Sequence, residues 1–207
     1  MAEITERENL IFRIAKLEWE MFQTVYNTNG RASCQDDPDT FFRMRMSQWM
    51  VYSDEVLESF LEDCEIAMKN GRNLIFEKYA RMMQTTYPVE YQELKGYLPD
   101  LDENSREQIN EIVCIHLQWD QEMNREYPNI RKNGRAMTTD QDSIQNGSSM
   151  ESYLRAELSS VSPKTLALLL VETKRANENG DNLLKQIITN ETAFYGFASL
   201  EEAESQK

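Results

Sequence analysis

Several residue types are scarce in this chain, and each scarcity excludes something. Its 207 residues include one histidine and three cysteines, Cys34, Cys64 and Cys114, with no C-x-x-C spacing. A zinc site of the usual kind needs clustered His and Cys ligands, and a disulfide framework needs pairs, so neither is expected. Reduced thiols and a cytoplasmic location follow as the default expectation. No stretch is apolar for long enough to span a bilayer, and the polar run Met1 to Arg7 lacks the apolar core of a signal peptide. Positive charge is also short: 22 Lys and Arg stand against 36 Asp and Glu, a net charge of -14. A general nucleic-acid binder needs clustered cations for phosphate contacts, and an anionic membrane repels such a chain, so neither partner is expected.

With only seven glycines and five prolines, and 40% hydrophobic residues, the chain has the means to build helices around a sizeable core. The expectation is an all-α helical bundle, a single compact domain over 1–207. Leu10, Ile14, Leu17, Met21 and Val25 recur at helical spacing, and Ile112, Ile115, Trp119 and Met123 do so again. Asp37-Pro38 and Ser53-Asp54-Glu55 read as helix starts, and Asn70-Gly71 as a stop. The spacing predicts helices near 3–26, 40–49, 54–69, 73–85, 89–96, 104–126, 150–159, 163–178 and 181–195. It leaves a long polar loop over 127–148 and a fraying acidic tail over 199–207.

The helices fall into two similar series, 3–99 and 104–198, which suggests tandem copies with pseudo-twofold symmetry. Lys69-Asn70-Gly71-Arg72-Asn73-Leu74 resembles Glu178-Asn179-Gly180-Asp181-Asn182-Leu183. At the same offset Ser53 falls on Ser162, Leu57 on Leu166 and Leu61 on Leu170. Asn29-Gly30-Arg31-Ala32 recurs as Asn133-Gly134-Arg135-Ala136, each after a helix with an aromatic–acidic pair, Trp19-Glu20 or Trp119-Asp120.

Chemistry is densest in the first series. Arg31, Ser33, Cys34, Gln35, Asp36 and Asp37 crowd one turn before a helix that adds Arg45 and Gln48. Guanidinium forks and a helix start both bind anions. The bland alternative is that Arg31 pairs with Asp36 or Asp37 to pin the loop. Cys34 reads either as a nucleophile near a helix start or as a small packing residue. His116 reads either as a partner in chemistry or as a core histidine. A hard-cation site from Glu20, Asp36, Asp37, Asp120 and Asp140 stays open beside capping and salt bridging. Lys78, Tyr79 and Arg81 form a polar stretch that the second series replaces with Ile187, Ile188 and Asn190.

Trp19-Glu20-Met21-Phe22, Gly30 to Asp37, Gly71-Arg72-Asn73-Leu74 with Glu77-Lys78-Tyr79-Ala80-Arg81, Tyr153-Leu154-Arg155 and Tyr195-Gly196 together resemble a bacterial family catalogued as domain of unknown function 4125. The resemblance covers nearly the whole chain and implies a bacterial cytosolic protein, with no activity to carry over. Two classes of function remain. One is a small-molecule enzyme or binding protein holding a small anionic ligand in a polar cleft between the halves. That cleft would be walled by the Arg31 loop, Arg45, Gln48, Lys78, Tyr79, Arg81, Arg135 and Arg155, with Cys34, Asp36 or His116 for chemistry. The other is an adaptor that meets a protein partner through an acidic, Met-rich surface. No cofactor is indicated.

Overall fold

A computed structural model describes residues 5–26, 30–132 and 134–206. Asn29 and Asn133, which begin the two Asn-Gly-Arg-Ala runs, lie outside them. The described residues form eleven α-helices: α1 (Glu6–Gln23), α2 (Pro38–Trp49), α3 (Asp54–Lys69), α4 (Leu74–Thr86), α5 (Pro88–Leu94), α6 (Glu103–Glu126), α7 (Pro128–Arg131), α8 (Met150–Leu158), α9 (Pro163–Glu178), α10 (Leu183–Phe194) and α11 (Leu200–Ser205). Among the described residues there is no β-strand, only an isolated bridge between Ser143 and Gly147.

The ends of these helices follow from local chemistry. Thr5 and Glu8 form a reciprocal capping box at α1, and Asp37 caps α2 ahead of Pro38. Ser53 and Ser162 cap α3 and α9. Both helices stop in the same way: Gly71 and Gly180 take φ of +71° and +77°, a region open to glycine without a Cβ clash. The next N–H then turns back, Arg72 to Ala67 O and Asp181 to Ala176 O, each at 2.8 Å.

Asn73 and Asn182 start the helices that follow, and each also reaches a neighbour. Asn73 Oδ1 accepts from Phe76 N–H while its Nδ2 donates to Met21 O and Thr24 Oγ1, which ties α4 to the end of α1. Asn182 does the same at α10 through Lys185, Trp119 and Glu122. Replacing Asn73 with alanine removes the cap and leaves a partly buried carbonyl short of its donor. Urea melts should show a loss of about 2 kcal/mol. A loss within about 0.3 kcal/mol would mean that solvent satisfies those groups equally well.

Helix α1 packs on α2, α3 and α4, while α6 packs on α8, α9 and α10. The two groups meet where α3 lies on α9, α4 on α8 and α2 on α10. Ile14, Leu57, Ile112 and Leu166, all essentially inaccessible, belong to one continuous apolar cluster spanning both groups. Crosswise hydrogen bonds lock the α3–α9 contact: Ser53 N–H donates to the Glu172 carboxylate, Ser162 N–H to Asp63 Oδ2 at 2.8 Å, and Ser59 and Thr165 hydroxyls meet at 2.8 Å.

Three expectations need correction. The tail does not fray over its whole length: Ser199 caps α11, which buries Leu200 and Ala203. Glu201 accepts from Tyr127 Oη, and Glu204 from the N–H groups of Asn129 and Ile130. The 127–148 segment is not all loop, because it contains α7 and a 3₁₀ turn over Thr139–Gln141. The aromatic–acidic pairs do not match either. Trp119 and Asp120 are buried, whereas Trp19 is half-buried and Glu20 exposed.

Candidate functional site

A chain of opposite charges is buried where the two groups of helices meet. Arg45 of α2 holds Glu18 of α1 through its Nε, at 2.9 Å, and through Nη2. Its Nη1 reaches Glu157 Oε1 of α8 at 2.7 Å and Gln48 Oε1 at 2.8 Å. Lys78 Nζ of α4 donates to Glu157 Oε1 at 2.9 Å and to the Tyr153 hydroxyl at 2.5 Å. Gln48 donates to Glu157 Oε2, and the Trp49 indole to Glu18 Oε2. The four charges cancel, and each ionised group has a partner, the condition under which buried charges are tolerated. Burial alone would raise the Glu157 carboxyl, but Arg45 and Lys78 outweigh it and hold the group well below the usual carboxylate range. Burial likewise pushes Lys78 down, and Glu157 more than restores it, leaving it above an ordinary lysine.

Tyr153 carries this network outward. Its ring lies between Lys78 Nζ, 3.8 Å from the centroid, and the Arg135 guanidinium at 4.8 Å. Arg135 itself donates to Ser148 O at 2.9 Å. Tyr79 stands close by, its hydroxyl pushed up by burial.

The adjoining turns of α4 and α8, with α6 opposite, enclose an open cleft of about 500 Å³. Three arginines face it, one from each helix: Arg81, Arg106 and Arg155. Its polar lining is completed by Gln84, Thr85, Asn110, Thr139, Glu151 and Ser152, and its apolar surface comes from Leu101, Ile109 and Ala156. Arg155 is held in place by Glu151 at 2.9 Å and Asn110 at 2.6 Å. Arg81 donates through Nη2 to Pro99 O at 2.6 Å, while its Nε is buried with no hydrogen-bond partner among the described residues. Desolvation lowers the pKa of that guanidinium, and the carboxylates of Glu77 and Asp100 offset it only in part.

The residues expected from the sequence fall into separate places. Arg31 pins its own turn, pairing with Asp36 at 2.7 Å and donating to Gln23 and to Gln35 O. Gln35 is buried and bridges Ala32 N–H to the carbonyls of Phe22 and Val25. Asp37 caps α2, while Ser33 and Cys34 are exposed. Arg45, Gln48 and Lys78 belong to the buried network, and Tyr79 and Arg135 to its outer edge. Arg81 and Arg155 line the cleft. His116 is 3% exposed in the core, edge-on to Trp119 at 4.8 Å. A hard-cation site is not formed: no three His, Cys, Asp or Glu cluster suitably among the described residues. Asp120 is instead paired with Arg131 at 2.6 Å, and Asp140 accepts from Thr138.

Arg106, Asn110, Glu151 and Ser152 lie outside the sequence expectation, because the polar density of residues 19–81 points to the first series. One signal was readable for the network. Glu18 sits among Ile14, Met21 and Phe22, and Glu157 between Leu154 and Leu158, carboxylates on otherwise apolar faces.

A family model described as Protein of unknown function (DUF4125) matches residues 8–205. The chain belongs to that family. No curated protein and no solved structure matches it. No helix of the described residues is long and apolar enough to cross a membrane.

Proposed function

We propose that this member of the family binds a small anionic molecule in the cleft between α4, α6 and α8. The observation that carries the reading is the convergence of Arg81, Arg106 and Arg155 on one concavity in a chain whose net charge is -14. Guanidinium groups grip carboxylate or phosphate with paired N–H donors, and a partly enclosed site strengthens the attraction. The buried network supports the site mechanically: Lys78 and Glu157 tie α4 to α8 directly behind the cleft.

Arg106 offers the cleanest test, since its side chain is 56% exposed and, among the described residues, its only ion pair is with Glu103 at 3.5 Å. Arg106→Ala should leave the fold within about 0.5 kcal/mol of wild type. Calorimetric titration with phenyl phosphate or benzoate should show binding weakened about tenfold. Equal affinity in both proteins would put the anion elsewhere.

The same reading takes the chain as one domain made from two copies of a helical unit related by a pseudo-twofold axis. The identical stops of α3 and α9 support it, as do the reciprocal bonds Ser53 to Glu172 and Ser162 to Asp63. Burial supports it as well: Ile11, Ile14, Ala15, Glu18, Met21 and Phe22 of α1 have the spacing of Ile109, Ile112, Val113, His116, Trp119 and Asp120 of α6. In this register Asn110 corresponds to Phe12, and at the offset that places Ser53 on Ser162 Glu151 corresponds to Phe42; those two rings stack at 5.6 Å. One side of the axis therefore carries a polar cleft and the other an aromatic pair, so a single anion per chain is expected.

A further inference from the structure

We infer that the anion held in this cleft is a dianionic phosphate monoester with an apolar body; the inference rests on the anion-binding reading above. Charge comes first. The cleft lining sets three guanidinium groups against one carboxylate, Glu151. Behind the lining Asp142 accepts from the hydroxyls of Thr85 and Ser152 and from Ser149 N–H, and Glu103 meets Arg106 at 3.5 Å from outside it. The lining itself thus carries an excess of cations, and a phosphate monoester near neutral pH brings about two negative charges on one group.

Donor geometry points the same way. Glu151 occupies Arg155 Nε and Asn110 occupies its Nη1, leaving Nη2 for a ligand. Arg81, with Nη2 spent on Pro99 O and Nε buried, offers Nη1, and Arg106, beyond its long contact with Glu103, offers most of its fork. These donors come from three helices on different sides of the cleft. A planar carboxylate meets one fork in its own plane, whereas the three terminal oxygens of a phosphate can meet donors arriving from several directions. Size supplies the rest. About 500 Å³ exceeds what a bare phosphate occupies, and Leu101, Ile109 and Ala156 offer an apolar surface that inorganic phosphate leaves uncovered.

Four probes separate these elements in calorimetric titration at pH 7.5: phenyl phosphate, its monoanionic methyl diester, benzoate and inorganic phosphate. Phenyl phosphate should bind tightest, with the diester and benzoate each weaker by about tenfold or more. Inorganic phosphate should be weaker for want of apolar contact. Arg106→Ala should narrow the gap between monoester and diester, a readout that a merely structural role would not move. If diester or benzoate matches the monoester, the dianion inference is overturned while the anion-binding reading stands. If inorganic phosphate matches phenyl phosphate, the apolar body is overturned. If none of the four binds in a way that depends on Arg106, the underlying reading itself fails.

Discussion

Replacing Glu157 with alanine should cost about 3–5 kcal/mol of folding stability, the characteristic penalty for removing one member of a buried ion network. Glu157 is the hub: Arg45, Lys78 and Gln48 all converge on its two oxygens. Without it Arg45 keeps Glu18, but Lys78 is left buried among neutral partners, the Tyr153 hydroxyl and the rings of Tyr153 and Tyr79. The remaining partners then carry one uncompensated positive charge out of reach of bulk water. Glu157→Gln preserves the shape and should cost nearly as much, which separates lost charge from a lost side chain. Urea denaturation at pH 7 measures this directly, with the slope m unchanged if only the native state is affected. A loss under about 1 kcal/mol for both variants would show that α8 re-packs and lets water reach Lys78. The acid side follows from the same depressed carboxyl. Its stabilisation is complete above the ordinary carboxylate pKa near 4.5 and declines as pH falls below it.

Stability should also fall on mild acidification, in a different window and for a different reason. His116 is buried, neither ring nitrogen has a hydrogen-bond partner among the described residues, and burial lowers its pKa from 6.5 to about 4, with Glu157 opposing weakly. Above pH 6.5 the ring is neutral in the folded and unfolded chains alike. Between 6.5 and 4 the unfolded chain takes up a proton that the folded chain refuses, so stability declines as pH falls. The loss should reach about 2 kcal/mol at pH 5 and about 3 kcal/mol at pH 4. His116→Leu removes this proton, so its urea stability should change little between pH 7 and pH 5. Parallel losses in the two proteins over that interval would show that His116 protonates in place. The loss tied to Glu157 sets in below about pH 4.5, so the comparison between pH 7 and pH 5 reads His116.

The helices were largely readable because their signals are local. Ser53, Ser162 and Asp37 cap through their own side chains, and Gly71 and Gly180 stop helices through freedom that no other residue has, so each boundary depends on a few neighbouring residues. The tail helix is hidden in the sequence for the complementary reason. Leu200 and Ala203 are too few to announce a helix, and α11 is held by Tyr127 and by backbone N–H groups of α7, far away in the chain. In the same way, the dense turn at Arg31 reads as a site from composition alone. The side chains spend their polarity on one another, Arg31 on Asp36 and Gln35 on nearby carbonyls.

By itself, then, the sequence determined the all-α class, most helix boundaries and membership of a family, since periodicity, caps and motif order are written along one dimension. Only the tertiary structure decided which polar residues meet. Arg81, Arg106 and Arg155 lie on three different helices, and Glu18, Arg45, Lys78 and Glu157 on four. Their juxtaposition depends on how α4 and α8 pack across the middle of the fold. That packing is set by the apolar residues around them, and nothing in the local sequence of any one arginine records it.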